Sequence, residues 1–435
     1  MMSEIILILY TTKYRKGGDK FKRVARTMKD ELSSNGSEVI SLSIESKAEI
    51  KEIFKTLASQ NKSIKEFHFI GHSGMYGPMY GTVAYPEQFS PYELKKLVIP
   101  FAHNAKAYFH CCRSARWFAP YFSRVQNVTT FGYHWYTSFS SNKARYKLDV
   151  SKDPFKPLYC FGCPGKKSHG YLTSVKKYLG LVKAEPLKEF KPEQGEIDST
   201  YNSVAELYNN VFQDIKVRSD EYKWIISHLP KNKDINVLDI GCGNGALLKE
   251  LANKITSGTG VDISKNLIRF AKNNNVKHSN LQFEQLNGPE LPFKDNTFDL
   301  VISMLSFRYL DWDPIMKEIQ RVTNPEGKLL IIDMVTAPVK LTEYPQLLRS
   351  KLKHYIHRIR YKAFYKNLRK LVHNPNWKGM LKYNPIRSEH EMKWYIESRF
   401  PGRKVEVINI GYNARIIAFD TESMENIKNI NLSYP

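Results

Sequence analysis

Between Val237 and Gly245 the chain reads Val-Leu-Asp-Ile-Gly-Cys-Gly-Asn-Gly, an apolar run that passes straight into a glycine-rich turn. Gly241 and Gly243 lack a Cβ, so they permit a tight turn and let a ligand lie against the backbone. An acidic residue, Asp262, ends the next apolar run. In an open α/β sheet that position faces the ligand crevice, where a carboxylate can accept both hydroxyls of a ribose. The third glycine of a dinucleotide pattern is missing, so no diphosphate cradle is evident. A second constellation lies in the first half. Phe67-His-Phe-Ile-Gly-His72-Ser-Gly and Ala107-Tyr-Phe-His-Cys-Cys112-Arg-Ser-Ala each end a strand-like run. If the two strands are parallel neighbours, His72 and a cysteine come together, and a thiol beside an imidazole is an activated nucleophile.

These residues need two α/β frameworks to position them. In the first half, strands are predicted at Ile5–Tyr10, Glu38–Leu42, Glu66–Gly71 and Ala107–Cys111, with helices at Asp19–Leu32, Ile50–Ala58 and Tyr92–Ile99. In the second half, strands are predicted at Asn236–Ile240, Gly258–Asp262, Leu281–Gln285, Asp299–Ser303 and Gly327–Met334, closed by Lys404–Ile410 and Ala414–Phe419 as an antiparallel pair. Helices fall at Ser219–Leu229, Ala246–Asn253 and Ser264–Asn273. A polar, proline-bearing stretch from Ala184 separates the halves. The expected organisation is a domain at 1–180, a linker at 181–199 and a domain at 200–435.

Composition sets outer bounds. The chain has 435 residues and a formal charge of +23. Residues 1–190 hold 30 Lys+Arg against 15 Asp+Glu, so the first half carries its full share of the excess. That balance favours acidic partners such as nucleic acid or anionic lipid, or serves solubility. The apolar run Ile5–Leu9 is too short for a signal-peptide core or a membrane span, which points to a cytoplasmic protein without a transmembrane segment. Five unevenly spaced cysteines exclude a disulfide scaffold.

The region from about 200 to 420 resembles the class I S-adenosylmethionine-dependent methyltransferases. The resemblance rests on Val237–Gly245, on Gly260-Val-Asp-Ile-Ser264, on Leu286-Asn-Gly-Pro-Glu-Leu-Pro-Phe293 with Asp295, Phe298 and Asp299, and on the run from Glu318 into the following strand. It implies a Rossmann-like seven-stranded sheet and S-adenosyl-L-methionine as cofactor. It places Asp239, Gly241 and Gly243 around the methionine part, Asp262 on the ribose and Ile263 on the adenine. Asn287 falls at a position that contacts adenine, and Cys242, Leu286 and Ser303 complete the expected cofactor set. Arg308, Tyr309, Asp311 and Asp313 follow the fourth strand, at the expected edge of the acceptor pocket. No Asp/Asn-Pro-Pro-Tyr sequence follows that strand, which counts against an exocyclic base nitrogen as acceptor.

Residues 3–140 resemble the caspase-like cysteine proteases. The matching residues are Tyr14-Arg-Lys-Gly-Gly-Asp19, the loop His72 to Thr82, and Cys112-Arg-Ser-Ala. The resemblance implies an α/β sheet with His72 and Cys112 as catalytic dyad, Arg15 where a substrate aspartate is held, and His110 at a substrate-pocket position. Cys111 becomes a buried strand residue. Ser73 departs from the glycine that usually follows the histidine.

Two features stay open at this level. The segment Lys340–Lys370, part of a helical insertion around 340–375, has ten Lys+Arg and one Glu, with apolar residues at helical spacing. It is either a packed lid with a solvated charged face or a platform for an anionic acceptor. Cys160-Phe-Gly-Cys163 supplies two thiols, and His110, His134 and His169 are further zinc ligands only by presence, so no metal is assigned. The expected function is methyl transfer to an unidentified acceptor, coupled to peptide or protein cleavage. The alternatives are a first domain that only binds a partner, and methylation of nucleic acid.

Overall fold

The computed structural model describes residues 3–34, 36–151, 153–164, 175–177, 179–193, 200–231 and 234–425. The chain divides into two compact units, Met1–Gly195 and Glu196–Pro435.

In the first unit the elements run β1 (Ser3–Thr11), α1 (Gly18–Ser33), β2 (Val39–Ile44), α2 (Lys47–Ser59), β3 (Lys62–Ile70), α3 (Pro91–Lys96), β4 (Phe101–His110), α4 (Phe118–Gln126), β5 (Thr129–Gly132), β6 (Tyr136–Ser140), β7 (Tyr159–Cys163) and β8 (Lys188–Phe190). Alternate residues of the strands supply two faces. Leu7, Leu9, Phe67, Phe69 and Phe109 pack with Phe54 of α2 and with Phe118 and Phe122 of α4. Ile8 and Ile70 face the other way, against Phe21, Val24 and Ala25 of α1. The sheet order is β2-β1-β3-β4-β5-β8. The first five strands are parallel, and β8 is antiparallel to β5. Ile70 pairs with His110, so β3 and β4 end level with each other.

The second unit comprises α5 (Ala205–Val211), α6 (Ser219–His228), β9 (Asn236–Ile240), α7 (Ala246–Leu251), β10 (Ser257–Asp262), α8 (Lys265–Asn274), β11 (Leu281–Gln285), β12 (Phe298–Met304), α9 (Trp312–Val322), β13 (Thr323–Thr336), α10 (Tyr344–Arg360), α11 (Lys362–His373), α12 (Pro375–Tyr383), α13 (Glu389–Arg399), β14 (Glu406–Ile410) and β15 (Ala414–Asp420). Its seven strands are ordered β11-β10-β9-β12-β13-β15-β14. Strands β9 to β13 are parallel, and β15 is antiparallel to both neighbours. One face buries Leu238, Val301 and Ile331 under Ile315 and Ile319 of α9 and Met392 and Ile396 of α13. The other buries Val237, Leu300 and Leu330 under Leu248 of α7, Ile225 of α6 and Ile268 of α8.

Two expectations need correction. Lys188–Phe190 lies inside the expected linker, yet it is the edge strand β8, paired with Thr130–Gly132. Proline flanks hide it, and the hydrogen-bonding edge of β5 recruits it. The basic segment Lys340–Lys370, whose spacing reads as one amphipathic helix, is broken into α10 and α11, with α12 following. The first break falls at Tyr361, whose φ of −113° and ψ of 51° leave the helical region. The second precedes Pro375, where Asn374 caps α12.

Candidate functional site

The larger site lies at the C-terminal ends of β9, β10 and β12. The loop after β9 turns on three glycines, Gly241, Gly243 and Gly245, at φ of 76°, 57° and 77°. This is the left-handed region that other residues enter only at a cost. A Cβ on Gly241 would stand 2.3 Å from the Ser306 Cβ. The backbone N–H groups of Gly241 and Cys242 both donate to the Val261 carbonyl, pinning the loop to β10. Asp262 closes it from the other side. One carboxylate oxygen accepts the Gly243 N–H at 3.0 Å and the other accepts the Ser264 N–H at 2.8 Å. The Ile263 N–H also bonds this carboxylate, and three donors on its two oxygens leave a lone pair for a ligand hydroxyl. Burial pushes the Asp262 carboxyl up, and the Ser264 and Gly243 N–H bonds oppose that shift. Burial also pushes Asp239 up to about 7, with the Asp262 charge adding to it.

An open cavity adjoins this loop. Of the residues singled out from sequence, Gly241, Gly243, Asp262, Ile263 and Leu286 line it. Ile263 is 52% exposed, an apolar side chain with room for a flat ligand against it. Asp239, Cys242, Asn287 and Ser303 stand off the wall. Asp239, Cys242 and Ser303 are buried, and Asn287 is exposed. The Ser303 hydroxyl shares a 2.7 Å hydrogen bond with Ser306, and Ser306 donates to the Ile240 carbonyl at 2.7 Å. Ser306, not Ser303, reaches the cavity. Tyr309 and Asp311 line it as well, whereas Arg308 and Asp313 do not. Arg308 makes a buried ion pair with Asp333, and Asp313 is held by Arg399 and the Tyr395 hydroxyl at 2.9 and 3.0 Å.

Sequence reasoning missed Thr200, Tyr201, Tyr208 and Asn384, which complete the wall. The two tyrosine rings lie 5.3 Å apart, and Tyr201 also meets Trp377 of α12. Val204, Val211, Phe212 and Leu371 are buried together beneath them. The segment before β9 and the insertion after β13 thus form one cap, whose only sequence signal is aromatic density. Burial pushes the Tyr208 phenol up to about 12 and that of Tyr201 well above its ordinary value.

In the first unit, the loops after β1, β3 and β4 meet at one sheet edge. The His72 Nε2–H donates to the Lys16 carbonyl at 3.0 Å, which leaves Nδ1 as the basic nitrogen. Phe21 and Tyr14 hold the ring edge-on at 5.1 and 5.7 Å. Burial pushes the His72 pKa down; the Lys16 bond opposes this and the Arg15 charge adds to it. The Cys112 Sγ accepts the Thr137 backbone N–H at 3.3 Å and lies 3.3 Å from the Thr137 hydroxyl. Ser73 donates to the Cys112 carbonyl, tying the β3 and β4 loops together. Arg15 is exposed on the β1 loop at φ 59°. His110 is not on a substrate surface: it is buried, 3.2 Å from His68. Burial, then the His68 charge, pushes it down to about 3. Its strand alternation sends the side chain into the sheet face rather than to the edge. Cys111 is buried too, its thiol pushed up to about 12 chiefly by burial. The Cys160 Sγ lies 3.5 Å from the His110 carbonyl, and His169 falls outside the described residues.

The sheet order of the second unit, with its glycine loop and acidic strand end at the crevice, defines a Rossmann-like class I methyltransferase domain. Comparison with known proteins agrees. Residues 231–392 match a family described as "Methyltransferase domain". A demethylmenaquinone methyltransferase of Oceanobacillus iheyensis is 30% identical over 227 residues, covering 47% of this chain and 84% of that protein. A sterol 4-C-methyltransferase of Caenorhabditis elegans is 33% identical over 118 residues, 26% of this chain; the chain spans only 34% of that protein. A solved S-adenosylmethionine-dependent methyltransferase from Aquifex aeolicus aligns over 52% of this chain and all of its own length, at 17% identity and a TM-score of 0.34. The chain belongs to the S-adenosylmethionine-dependent methyltransferases, and S-adenosyl-L-methionine is its cofactor.

Proposed function

We propose that the second unit methylates an apolar, ring-bearing acceptor. The observation that carries this is the composition of the cavity wall beyond the cofactor loop: Met304, Leu305, Leu310, Ile315 and Pro289, with Tyr201 and Tyr208 opposite. Relatives named for menaquinone and sterol substrates support the same acceptor class. The cradle fits the cofactor: Asp262 offers a lone pair to a ribose, Ile263 an apolar face to adenine, and the glycine loop a surface without side chains. When bound, the cofactor supplies an electrophilic methyl group for in-line displacement. The protein's part is alignment and exclusion of water. Tyr201 and Tyr208 hold their protons at neutral pH, so they orient an acceptor by donation and do not serve as bases. Asp311 and Asp262 are the acidic side chains on the wall. Asp311, on the wall after β12, is the group we assign to take a proton from an acidic acceptor. The test is transfer of labelled methyl to a reduced naphthoquinone, a sterol and an RNA pool, comparing wild type with Asp262→Asn and Asp311→Asn. Transfer to RNA alone overturns the proposal.

The arrangement in the first unit supports a second activity, a caspase-like cysteine peptidase. His72 Nδ1 takes the Cys112 proton as Sγ bonds to the scissile carbonyl carbon. The same proton passes to the departing amine as the C–N bond breaks, and water then releases the acid from the thioester. The Lys16 carbonyl stabilises the imidazolium, and the Thr137 N–H stabilises the thiolate. Arg15 would meet an acidic substrate side chain. Peptide-library cleavage read by mass spectrometry decides the matter. Cleavage lost in Cys112→Ala supports the peptidase. No cleavage by wild type that still binds S-adenosylmethionine favours a docking module or a latent protease instead.

A further inference from the structure

The basic insertion presents a face that the methyltransferase chemistry does not use. On α10, Leu348, Leu352 and Tyr355 are each 64% exposed, Ile356 is 58% and Ile359 55%. With half-exposed Tyr344, these positions fall within about a third of the helix circumference at 3.6 residues per turn. A lid helix packed on the protein would bury this stripe. Instead the opposite side is anchored: Leu347 is buried, Lys353 pairs with Asp220, and Tyr365 of α11 meets His357 at 3.0 Å. Cations border the exposed stripe on both margins, Lys351 and Arg358 on one and Arg349 and Arg360 on the other. Tyr344–Arg360 contains no Asp or Glu.

We propose that α10 docks the protein on an anionic membrane surface, its apolar stripe entering the headgroup boundary and its flanking Lys and Arg meeting lipid phosphates. The pairing of an apolar face with cationic margins is what such an interface selects. An RNA partner would use the cations and leave Leu348, Leu352, Ile356 and Ile359 in water. Among the described residues no helix is long and apolar enough to cross a membrane, so this contact lies in the interface plane. Docking there brings the protein to the phase that holds apolar acceptors. Through α11, whose Leu371 packs under the cap beside Val204 and Phe212, the docked helix is linked to the cavity wall. The inference stands on the helix alone and holds whatever the acceptor proves to be.

The test is flotation of the full chain with vesicles of phosphatidylcholine, with or without about 30 mol % phosphatidylglycerol. Two variants are compared with wild type: Leu348→Ser/Leu352→Ser/Ile356→Ser and Arg349→Gln/Lys351→Gln/Arg358→Gln. Retained S-adenosylmethionine binding shows that each is folded. Wild type should float with the anionic vesicles and much less with neutral ones, and each variant should lose at least about tenfold in partitioning. A Leu352→Trp chain should show a blue-shifted emission on anionic vesicles only. Undiminished binding by the serine variant overturns the proposal, because contact would then be electrostatic alone. So does wild type that binds the cofactor but no vesicle, or a self-associating wild type that the serine variant converts to monomer without any vesicle binding.

Discussion

Asp239 carries a pH signature that can be read in two independent quantities. Its carboxyl is 2% exposed, and burial, with the neighbouring Asp262 charge, pushes it from 3.8 up to about 7. That difference corresponds to about 4 kcal/mol of preference for the neutral form. The unfolded chain releases this proton near pH 4, while the folded chain holds it to about pH 7. Between those values the folded state binds the extra proton, so this residue's contribution to stability falls as pH rises and is constant above about pH 7. Asp239→Asn cannot ionise. Its stability relative to wild type should therefore climb by up to about 1.4 kcal/mol per pH unit across the window, towards a limit of about 4 kcal/mol. Cofactor affinity runs the other way. The ammonium and sulfonium of S-adenosylmethionine favour the carboxylate, so wild-type affinity should rise up to about tenfold per pH unit below pH 7 and level off above it. The variant's affinity should be weaker at pH 8 and flat across the range. Urea unfolding and calorimetric titration at half-unit steps from pH 5 to 8.5 read both effects. A stability difference that does not change with pH, or a wild-type affinity flat through pH 7, would refute the reasoning.

Three further perturbations have defined outcomes. Gly241→Ala places a Cβ 2.3 Å from the Ser306 side chain at φ 76°. Left-handed strain of about 1–2 kcal/mol and the two Ser306 bonds it displaces, about 0.5–1.5 kcal/mol each, should lower stability by about 2–5 kcal/mol in thermal unfolding and weaken cofactor binding at least about tenfold. Arg308→Met leaves Asp333 buried without its partner and should cost about 3–5 kcal/mol in urea unfolding, most of it recovered when Asp333→Leu is added. If the proposed peptide cleavage is found, the lowered His72 pKa keeps the imidazole neutral into mild acid, so the acid limb of its kcat/KM should fall below pH 6.5. An acid limb above pH 7 would exclude His72 as the base.

The strands of both parallel sheets were visible as apolar runs because burial on two faces demands them. The glycine loop and Asp262 were visible because backbone geometry and ribose chemistry restrict those positions to few residue types. What escaped sequence reading depends on tertiary contact. Ser306 takes the cavity position expected of Ser303 because β12 ends one residue past it, at Met304, and the loop then turns back towards Ile240. Tyr201, Tyr208 and Asn384 are brought to the cavity by a cap whose parts lie before β9 and between β13 and β14, so no local period announces them. His110 shows the converse. A motif position implied a pocket, but the strand continues through His110 before the chain turns, which sends the ring into the sheet face beside His68.

Both sites follow from the same topological constraint. In the first sheet the chain leaves β1 towards β2 on one side and reaches β3 on the other. In the second it leaves β9 towards β10 and reaches β12. Loops that depart in opposite directions open a crevice at the carboxyl ends of those strands. The Lys16 carbonyl and His72 lie after β1 and β3, astride the first crevice. The glycine loop and Ser306 lie after β9 and β12, astride the second. Cys112 and Asp262 each come from the strand next out. The shared geometry accounts for where such groups are housed but not for what they do, because the occupants differ: a thiol on a backbone N–H and an imidazole on a backbone carbonyl in one case, and a carboxylate beside side-chain-free backbone in the other. Substitutions at the first crevice should therefore leave methyl transfer intact, since each set of residues is fixed by hydrogen bonds within its own unit.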